Sequence, residues 1–367
     1  MKLKIGTKLI GSFLLIVLLM AVMAFYSASL SQSSLKEAVG RSSIYLVEEM
    51  LQRIDQDIYL KLEVLQTHSK HKVLQNTVLQ SNEEFEKLAS IGDFVAQRDR
   101  EWTTAAAEEE VTSHMNALLS NELANGLREE FIHFYERKYG YRVFAEVFVT
   151  NKYGANVAQT GKTSDYRQDD EQWWQITRER GFYIGDIEFD TCIGTNGIAV
   201  GVRIDDSADS FLGVIKTFVA AEDIIREAEI AIKKYETTSI KLTTKDGKLI
   251  YSTKAFRFLE DVSEKVFIKN VKGESGFFIA EEGGREKLFS FAHSKGYRDF
   301  DGHGWILVMG HDVAEVLKPA FTMRTRIVVV SFVFIVLGIF IAYIISRSIS
   351  KPIIAVRNAA VVIAKAI

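Results

Sequence analysis

Two long stretches without a charged residue constrain the fold of this 367-residue chain more than any other feature. The first, residues 9–30, reads LIGSFLLIVLLMAVMAFYSASL, and the second, residues 327–346, reads IVVVSFVFIVLGIFIAYIIS. At about 1.5 Å per residue, a helix of about 20 residues covers about 30 Å, the thickness of the hydrocarbon core of a bilayer. The sequence therefore predicts two membrane-spanning helices with one large domain between them.

Basic residues beside the two stretches predict their orientation in the bilayer. Lysine and arginine favour the cytoplasmic side, and such residues precede the first stretch and follow the second: Lys2, Lys4, Lys8, Arg347, Lys351 and Arg357. We therefore expect residues 1–8 and 347–367 in the cytoplasm and the intervening domain outside the inner (plasma) membrane. The alternative for the first stretch is a cleaved signal peptide, but the apolar region of such a peptide has about 7 to 15 residues, and this one is longer.

Composition and motifs argue against several classes of function. A net charge of -3, a pI near 6.2 and the lack of any Lys/Arg-rich run argue against nucleic acid as a partner. The single cysteine, Cys192, cannot form an intramolecular disulfide or a CxxC pair. The sequence contains no GxSxG, HExxH or P-loop motif, so we expect neither an enzyme nor a cofactor. A membrane-anchored extracytoplasmic enzyme or binding protein without signalling output is the alternative class.

Histidines near the end of the domain do not predict a metal site. His293, His303 and His311 are separated by ten and eight residues and fall on predicted strands. Metal-binding histidines are usually spaced more closely than this. We therefore expect no bound metal.

Apolar residues at intervals of three or four, or of their sum, predict a long helix that continues the first span outward. They are Leu35, Val39, Leu46, Met50, Ile54, Ile58, Leu62 and Leu65. A second helical stretch, residues 83–138, is rich in Ala, Glu, Leu and Arg. The first part of the outer domain is therefore expected to be helical.

A repeat follows, in which short β-type runs alternate with Gly and Asp turns. VFVTNKYGANVAQ (147–159) and KLTTKDGKLIYS (241–252) each predict strand, tight turn and strand, with Gly154 and Gly247 in the turns. Downstream, FLGVIKTFVAAEDII begins at Phe211 and GWILVMGHDVAEVL begins at Gly304, and each predicts a strand leading into a helix. Aligning Gly213 with Gly304 gives nearly the same spacing as the turn glycines, which indicates two tandem copies of one module.

This order of features resembles a double Cache (dCache) domain, the PAS-like extracellular sensor of bacterial chemoreceptors and sensor kinases. GYRDFDGHGWILVMGHD, residues 296–312, is similar to the end of the membrane-proximal module in that family. The resemblance implies an α+β fold with two tandem PAS-like (Cache) modules on a long N-terminal helix, flanked by two transmembrane helices. The expected bounds are 31–323 for the sensor, with long helices at 31–140, the membrane-distal module at 141–235 and the membrane-proximal module at 236–318. The implied function is a transmembrane receptor that senses a small extracellular solute.

The residues after the second span resemble the first helix of a HAMP domain, with Pro352 at the joint between span and helix. Apolar residues step by three and four, which predicts packing against a partner helix and hence a homodimer: Ile353, Val356, Ala360, Ile363 and Ile367. A simple amphipathic juxtamembrane tail is the alternative. HAMP helices feed a methyl-accepting, histidine kinase or diguanylate cyclase domain, and we expect such an output domain to lie outside this chain.

The segment DDEQWWQ, residues 169–175, joins three carboxylates to two of the four tryptophans. Amino-acid-binding members of the resembled family carry Arg-x-Trp-Tyr, whose arginine binds the ligand carboxylate, together with an upstream tyrosine and a later aspartate for the ammonium group. Placing the tryptophans on the aromatic pair puts Glu171 where that arginine lies, with Arg167 near enough to substitute. The resemblance predicts these ligand-binding residues: Tyr166, Arg167, Glu171, Trp173, Trp174, Asp186, Asp190 and Asp205.

The charge of this region favours a cationic ligand. Residues 165–209 contain 11 acidic and 4 basic residues, and an ammonium group is stabilised both by a Trp face and by a carboxylate. The ligand hypothesis is therefore an amine or a quaternary ammonium. The alternative is structural: Asp169 or Asp170 caps a helix over residues 171–180, with one tryptophan packed on a sheet and the other partly exposed.

Overall fold

A single helix connects the first apolar stretch to the outer domain. The computed structural model describes residues 5–108, 110–191, 193–229 and 235–366. Helix α1 runs from Ile5 to Ser69 without interruption. The outer part of the predicted apolar stripe is buried, including Ile54, Ile58 and Leu62. This confirms the predicted long helix and makes α1 the element on which the rest of the outer domain packs.

Short helices precede the first sheet, as the composition of residues 83–138 predicts. They are α2 (Lys72–Glu86), α3 (Ile91–Ala107), α4 (Ser113–Ser120), α5 (Glu122–Leu127), a π-helix (Arg128–His133) and α6 (Phe134–Tyr139). Side chains cap three of these helices: Ser90 accepts from Asp93 N, Thr112 from Met115 N, and Asn121 from Ala124 N. Each cap satisfies one of the free N–H groups of a first helical turn.

The first sheet belongs to the membrane-distal module. Its strands are β1 (Phe144–Asn151), β2 (Asn156–Gln159), β3 (Phe182–Ile184), β4 (Glu188–Asp190), β5 (Thr195–Asp205) and β6 (Phe211–Ala220). Helix α7 (Gln172–Arg180) lies between β2 and β3 in the chain, and α8 (Ala221–Glu229) follows β6. The antiparallel strands lie in the order β2-β1-β6-β5-β3, with β4 also paired to β5.

The second sheet repeats this arrangement. Its strands are β7 (Ser239–Thr243), β8 (Leu249–Ser252), β9 (Ser275–Glu282), β10 (Arg285–His293) and β11 (Ile306–Asp312), with α9 (Val266–Lys269) before β9 and α10 (Val313–Val316) after β11. They lie in the order β8-β7-β11-β10-β9. In both sheets the last strand of the module lies beside its first, so the predicted tandem repeat is confirmed.

The strand register corrects one detail of the predicted repeat. Gly154 and Gly247 have φ values of 77° and 83° and occupy equivalent tight turns, as expected. However, Thr150 pairs with Val214, whereas the equivalent Thr243 pairs with Ile306. The alignment of Gly213 with Gly304 is therefore wrong by one residue: Gly213 lies within β6, and Gly304 precedes β11.

Helix α1 contacts both modules through buried polar bonds as well as apolar packing. In the membrane-proximal module, Ser294 Oγ donates to Asp55 Oδ1 (2.7 Å) and Gly296 N donates to Asp55 Oδ2 (2.9 Å). In the membrane-distal module, Lys61 Nζ lies 2.7 Å from Asp223 Oδ2 on α8. One helix, which begins in the first apolar stretch, therefore makes direct contacts with both modules.

The chain ends in helix α11, which runs from Lys318 to Ala366 and contains the second apolar stretch. Among the residues that the structure describes, two helices are long and apolar enough to cross a membrane, with candidate segments Leu15–Ser69 and Lys318–Ile341. The most apolar part of each is exposed. The two helices lie side by side, since the Arg324 guanidinium is 5.2 Å from the Phe25 ring centroid.

Pro352 lies inside α11, so the helix continues from the apolar stretch into the predicted HAMP-like segment. A proline has no N–H to donate to the carbonyl four residues earlier, so this is a weak point of the helix. Ile353, Val356, Ala360 and Ile363 are helical, whereas Ile367 and Cys192, like Lys2 and Lys4, lie outside the described residues. Packing of this segment against a partner stays a prediction.

Candidate ligand-binding site

Helix α7 brings the acidic tryptophan segment over the membrane-distal sheet. It starts at Gln172, one residue later than the structural alternative expects, and ends at Arg180. The next residue, Gly181, has a φ of 92°, which suits a glycine C-cap. Its N-cap is Glu171, and no side chain among the described residues caps it. The predicted cap by Asp169 or Asp170 is therefore wrong. Asp169 instead accepts two bonds from Arg167, at 2.7 and 3.1 Å.

Both tryptophans of this helix are buried. Trp173 is 9% exposed and Trp174 2% exposed, so the expectation that one is partly exposed is wrong. Trp174 Nε1 donates to Thr150 Oγ1 on β1 (2.9 Å), and its ring meets Phe211 edge-on at 5.8 Å. Trp174 therefore fastens α7 to the sheet, while Trp173 faces the residues described next.

A row of side chains crosses the sheet beneath α7. Strand register places Gln159, Phe148, Lys216, Gly201 and Tyr183 side by side on β2, β1, β6, β5 and β3. At the glycine of this row, an added Cβ would lie 2.6 Å from the Oγ1 of a threonine in α7. The missing side chain lets α7 lie close to the sheet and encloses the row.

Lys216 lies at the centre of this row. Its Nζ is 4.4 Å from the ring centroid of Trp173 and 5.4 Å from that of Phe148. Burial lowers the pKa of the Lys216 ammonium, although four carboxylates partly oppose this effect: Glu146, Asp190, Glu188 and Glu171. A cation that lies against two aromatic rings, with several acidic groups acting on its charge, thus occupies the middle of the outer sheet face.

Glu146 lies two residues from Phe148 on the same face. Burial raises the pKa of its carboxyl to about 7, with Lys216 acting in the opposite direction. Among the described residues, Glu146 Oε1, Gln159 Nε2 and Asn156 Oδ1 are buried without a hydrogen-bond partner. Such groups are rare in folded proteins because each one costs desolvation energy. We call Glu146, Asn156, Gln159, Trp173 and Lys216 the distal cluster.

The structure does not bring all the predicted site residues together. Trp173 contacts Lys216, and the charges of Glu171 and Asp190 raise the pKa of its ammonium group. Tyr166 is buried elsewhere, with its ring 6.0 Å from Trp102 and 5.3 Å from His114, and Asp205 accepts from its neighbour Arg203 at the far end of β5 (2.6 Å). Their assignment as ligand contacts stays a prediction.

Asp186 links the two modules. Its Oδ1 accepts from Trp305 Nε1 just before β11 (2.7 Å) and from the backbone N–H of Ile187 (2.7 Å). Trp305 is almost completely buried. The carboxylate that the resemblance assigns to a ligand is thus already bonded to the membrane-proximal module.

Sequence reasoning missed Glu146, Asn156, Gln159 and Lys216. A local signal exists for two of them: Lys216 is the one charge in the strand FLGVIKTFVA, and Glu146 is the one charge in FAEVFVTN. A charge in a strand that is otherwise apolar is expensive to bury and so suggests a specific role. Which strands bring the two together is not visible in the sequence.

The membrane-proximal module has a cavity of its own, of about 790 Å³. Lys241 and Lys287 line it and share one carboxylate, Glu282, at 2.9 and 2.6 Å. Lys241 Nζ also lies 4.0 Å from the Phe267 ring centroid. This cavity differs from the distal cluster in that its lysines already have a close carboxylate.

The raised pKa of Glu146 predicts a pH dependence of stability. The folded state holds the Glu146 proton more tightly than the unfolded chain, whose ordinary pKa is 4.5. The stability that the protonated Glu146 carboxyl contributes is therefore fully present below pH 4.5 and is lost as the pH rises to about 7. Urea unfolding at several pH values should show a decrease of about 3 kcal/mol over this window.

Other carboxyls with raised pKa values, such as Asp57, add to the measured slope. Glu146→Gln should remove the Glu146 part of the slope, because the amide does not titrate. Glu122→Gln, at an exposed position on α5, should keep it. An unchanged slope in Glu146→Gln would contradict the assigned pKa.

The topology decides the fold family. Each module has its last strand beside its first, a long helix on one sheet face and, in the membrane-distal module, a helix-bearing segment on the other. The chain has the double Cache fold. The predicted fold class, two tandem PAS-like modules on a long N-terminal helix, is confirmed.

Solved structures similar to this chain are sensor domains. The ligand-binding domain of the Pseudomonas aeruginosa PAO1 amino acid chemoreceptor PctB, in complex with L-Arg, is 13% identical, with a TM-score of 0.44 over 75% of this chain and 96% of that chain. The ligand-binding domain of the Pseudomonas fluorescens chemoreceptor CtaA, in complex with L-isoleucine, is 12% identical, with a TM-score of 0.44 over 80% of this chain and 98% of that chain. The sensory domain of the Campylobacter jejuni chemoreceptor Tlp3 is 13% identical, with a TM-score of 0.43 over 78% of this chain and 99% of that chain. No protein-family model and no curated protein matches the sequence.

Proposed function

We propose that this chain is a transmembrane receptor that binds a small extracellular solute at the distal cluster and relays binding through its membrane-spanning helices. The observation that carries the proposal is the set of unpartnered buried groups in that cluster, Glu146 Oε1, Gln159 Nε2 and Asn156 Oδ1. Glu146 acts on the partly buried Lys216, and Gln159 lies in the same row of side chains beneath α7. A small polar solute would satisfy donors and acceptors that the described residues leave unmatched.

The charges around Lys216 indicate the class of solute. Glu146, Glu171, Glu188 and Asp190 act on one lysine, so the acidic groups outnumber the basic one. This supports a solute with an amino group. Because Lys216 already lies against Trp173, we assign the ammonium contact to the carboxylates and leave Lys216 for a carboxylate or other acceptor on the same solute.

The relay follows from the connection of each sheet to α1 and α11. Strand β6, which carries Lys216, leads directly into α8, whose Asp223 is paired with Lys61 on α1. Asp186 and Trp305 join the membrane-distal module to the strand that precedes α10 and α11. A shift of β6 or α7 on solute binding would therefore move both helices that enter the membrane.

The remaining parts of the proposed receptor are the HAMP-like helix and a second copy of the chain. The apolar steps of three and four residues after Pro352 support packing against a partner helix. Two copies packed along this segment would convert a helix shift into a changed packing state. A downstream output domain would read that state in the cytoplasm.

A thermal-shift screen of the full chain in detergent tests the proposal. Amines, amino acids and carboxylic acids without an amino group are each added, and we expect at least one amine to raise the melting temperature. At a hundredfold excess over Kd, binding adds about 2.7 kcal/mol of stability. Lys216→Met should abolish the shift, and Lys241→Met, a matched change in the membrane-proximal cavity, should retain it.

The same screen separates the alternatives. Loss of the shift in Lys241→Met alone would move the binding site to the membrane-proximal cavity. Stabilisation only by carboxylic acids that lack an amino group would contradict the amine assignment. Chemical conversion of an added solute would favour the extracytoplasmic enzyme over the receptor.

A further inference from the structure

A second group of polar side chains lies at the outer end of α1, apart from the distal cluster. His68 is in the last turn of α1, His71 is the N-cap of α2, and Glu130 is on the π-helix. One ligand atom from each of the three lies within 4.8 Å of the others. Imidazole nitrogen and carboxylate oxygen are ligands that zinc and related divalent transition metals accept.

The hydrogen bonds of His68 leave its second nitrogen facing a carboxylate. His68 Nδ1 lies 2.9 Å from the carbonyl oxygen of Val64, which only accepts, so Nδ1 carries a proton. In the neutral ring Nε2 is then an acceptor, yet it lies 3.1 Å from Glu130 Oε2, a second acceptor. A cation that both atoms bind would account for two acceptors that face each other at this distance.

The distances suit a shared cation. A nitrogen and an oxygen bound to one zinc ion at about 2.0 to 2.2 Å and at a tetrahedral angle lie about 3.4 Å apart. The bond from Nδ1 to a backbone carbonyl is also the outer contact that usually orients a metal-binding histidine. The Phe131 ring, 4.4 Å away, restricts the His68 ring further.

The third ligand and the local backbone support the same conclusion. The His71 ring lies 4.7 Å from that of His68 and is exposed, so it is free to rotate towards the ion. Glu130 lies in a π-helical turn, a rare conformation that occurs often at functional sites.

We propose that His68 Nε2, a ring nitrogen of His71 and a carboxylate oxygen of Glu130 bind one divalent transition-metal ion of the zinc class, with water completing the coordination. The ion would fasten the outer end of α1 and the start of α2 to the π-helix of the membrane-distal module. This differs from the sequence-based expectation of no metal, which considered only the histidines near the end of the outer domain.

Metal titration of the full chain in detergent, after treatment with chelator, tests the site. Zn²⁺ binding is measured by calorimetry, and Co²⁺ is used as a visible-absorbing substitute that reports coordination geometry. We expect one equivalent of Zn²⁺ per chain and a Co²⁺ absorption band from protein ligands. His71→Ala and Glu130→Gln should each weaken Zn²⁺ binding at least about tenfold and remove the Co²⁺ band.

His133→Ala is the matched control, because His133 is on the same π-helix but contacts Glu129 instead (3.1 Å). It should change the Zn²⁺ affinity by less than about twofold, the size expected for a residue outside the site. His71 and Glu130 are exposed, so circular dichroism should show all three variants folded. Equal Zn²⁺ affinity in the wild type and His71→Ala, or no stoichiometric binding by the wild type, would overturn the proposal.

Discussion

Replacement of Trp174 by alanine is expected to lower the free energy of unfolding by about 3 to 5 kcal/mol, the usual cost of removing a buried tryptophan. The side chain is 2% exposed and fills the space between α7, Thr150 and Phe211. Because α7 encloses the distal cluster, Trp174→Ala should also abolish the stabilisation by added solute. Urea unfolding of the full chain in detergent, followed by circular dichroism, measures the change.

Two further substitutions separate the contributions of packing and hydrogen bonding at Trp174. Thr150→Val keeps the shape but leaves Trp174 Nε1 without its acceptor, which should cost about 1 to 3 kcal/mol. Phe134→Ala removes an aromatic ring that is 47% exposed and should change stability by less than about 0.5 kcal/mol. Equal effects of Trp174→Ala and Phe134→Ala would show that α7 does not depend on this anchor.

Lys61→Met is expected to lower the free energy of unfolding by about 3 to 5 kcal/mol, because it leaves the buried carboxylate of Asp223 and the partly buried carboxylate of Asp57 without their cation. Lys61 is 12% exposed and lies 2.8 Å from Asp57 and 2.7 Å from Asp223. Burial already raises the pKa of Asp57 to about 6. The loss should therefore be larger at pH 8 than at pH 5, where protonation of a carboxyl relieves the repulsion.

Lys295→Met provides the matched control for Lys61→Met. Lys295 also forms an ion pair, with Glu274 at 2.8 Å, but its side chain is 62% exposed. Exposed ion pairs contribute about 0 to 1 kcal/mol, so this variant should differ little from the wild type. Similar losses in both variants would contradict the distinction between buried and exposed pairs.

The contact between Lys61 and Asp223 also lies on the proposed relay. Asp223 begins α8 directly after β6, and Lys61 lies on α1. If solute binding reaches the membrane through this contact, Lys61→Met should uncouple binding from any change in α1 while leaving the distal cluster intact.

The architecture could be predicted from the sequence because its signals are periodic. The stripe from Leu35 to Leu65 indicates one helix, and the turn glycines Gly154 and Gly247 mark equivalent points of two modules. Periodic signals average over many residues, so one unusual residue does not obscure them. The error at Gly213 arose where a single glycine had to set the register.

The candidate site was harder to predict, because its residues come from separate strands. Trp173 and Asp190 were found because they lie in or near a conspicuous acidic segment, and both act on Lys216. Asp186 was assigned to the ligand by its position in the chain, yet its partner Trp305 lies 119 residues away. His68 and Glu130 are likewise far apart in the sequence, and only the fold brings them together as a pair.

The sequence by itself determined two apolar spans, one long helix, the tandem repeat and the acidic character of residues 165–209, because each of these depends on neighbours along the chain. Only the tertiary structure decided which charges are buried together. Pairing of β1 with β6 sets Glu146 near Lys216, and packing of α7 places Trp173 over them. Burial then changes the pKa of both groups, a physical effect that depends on the surroundings in space rather than on position in the chain.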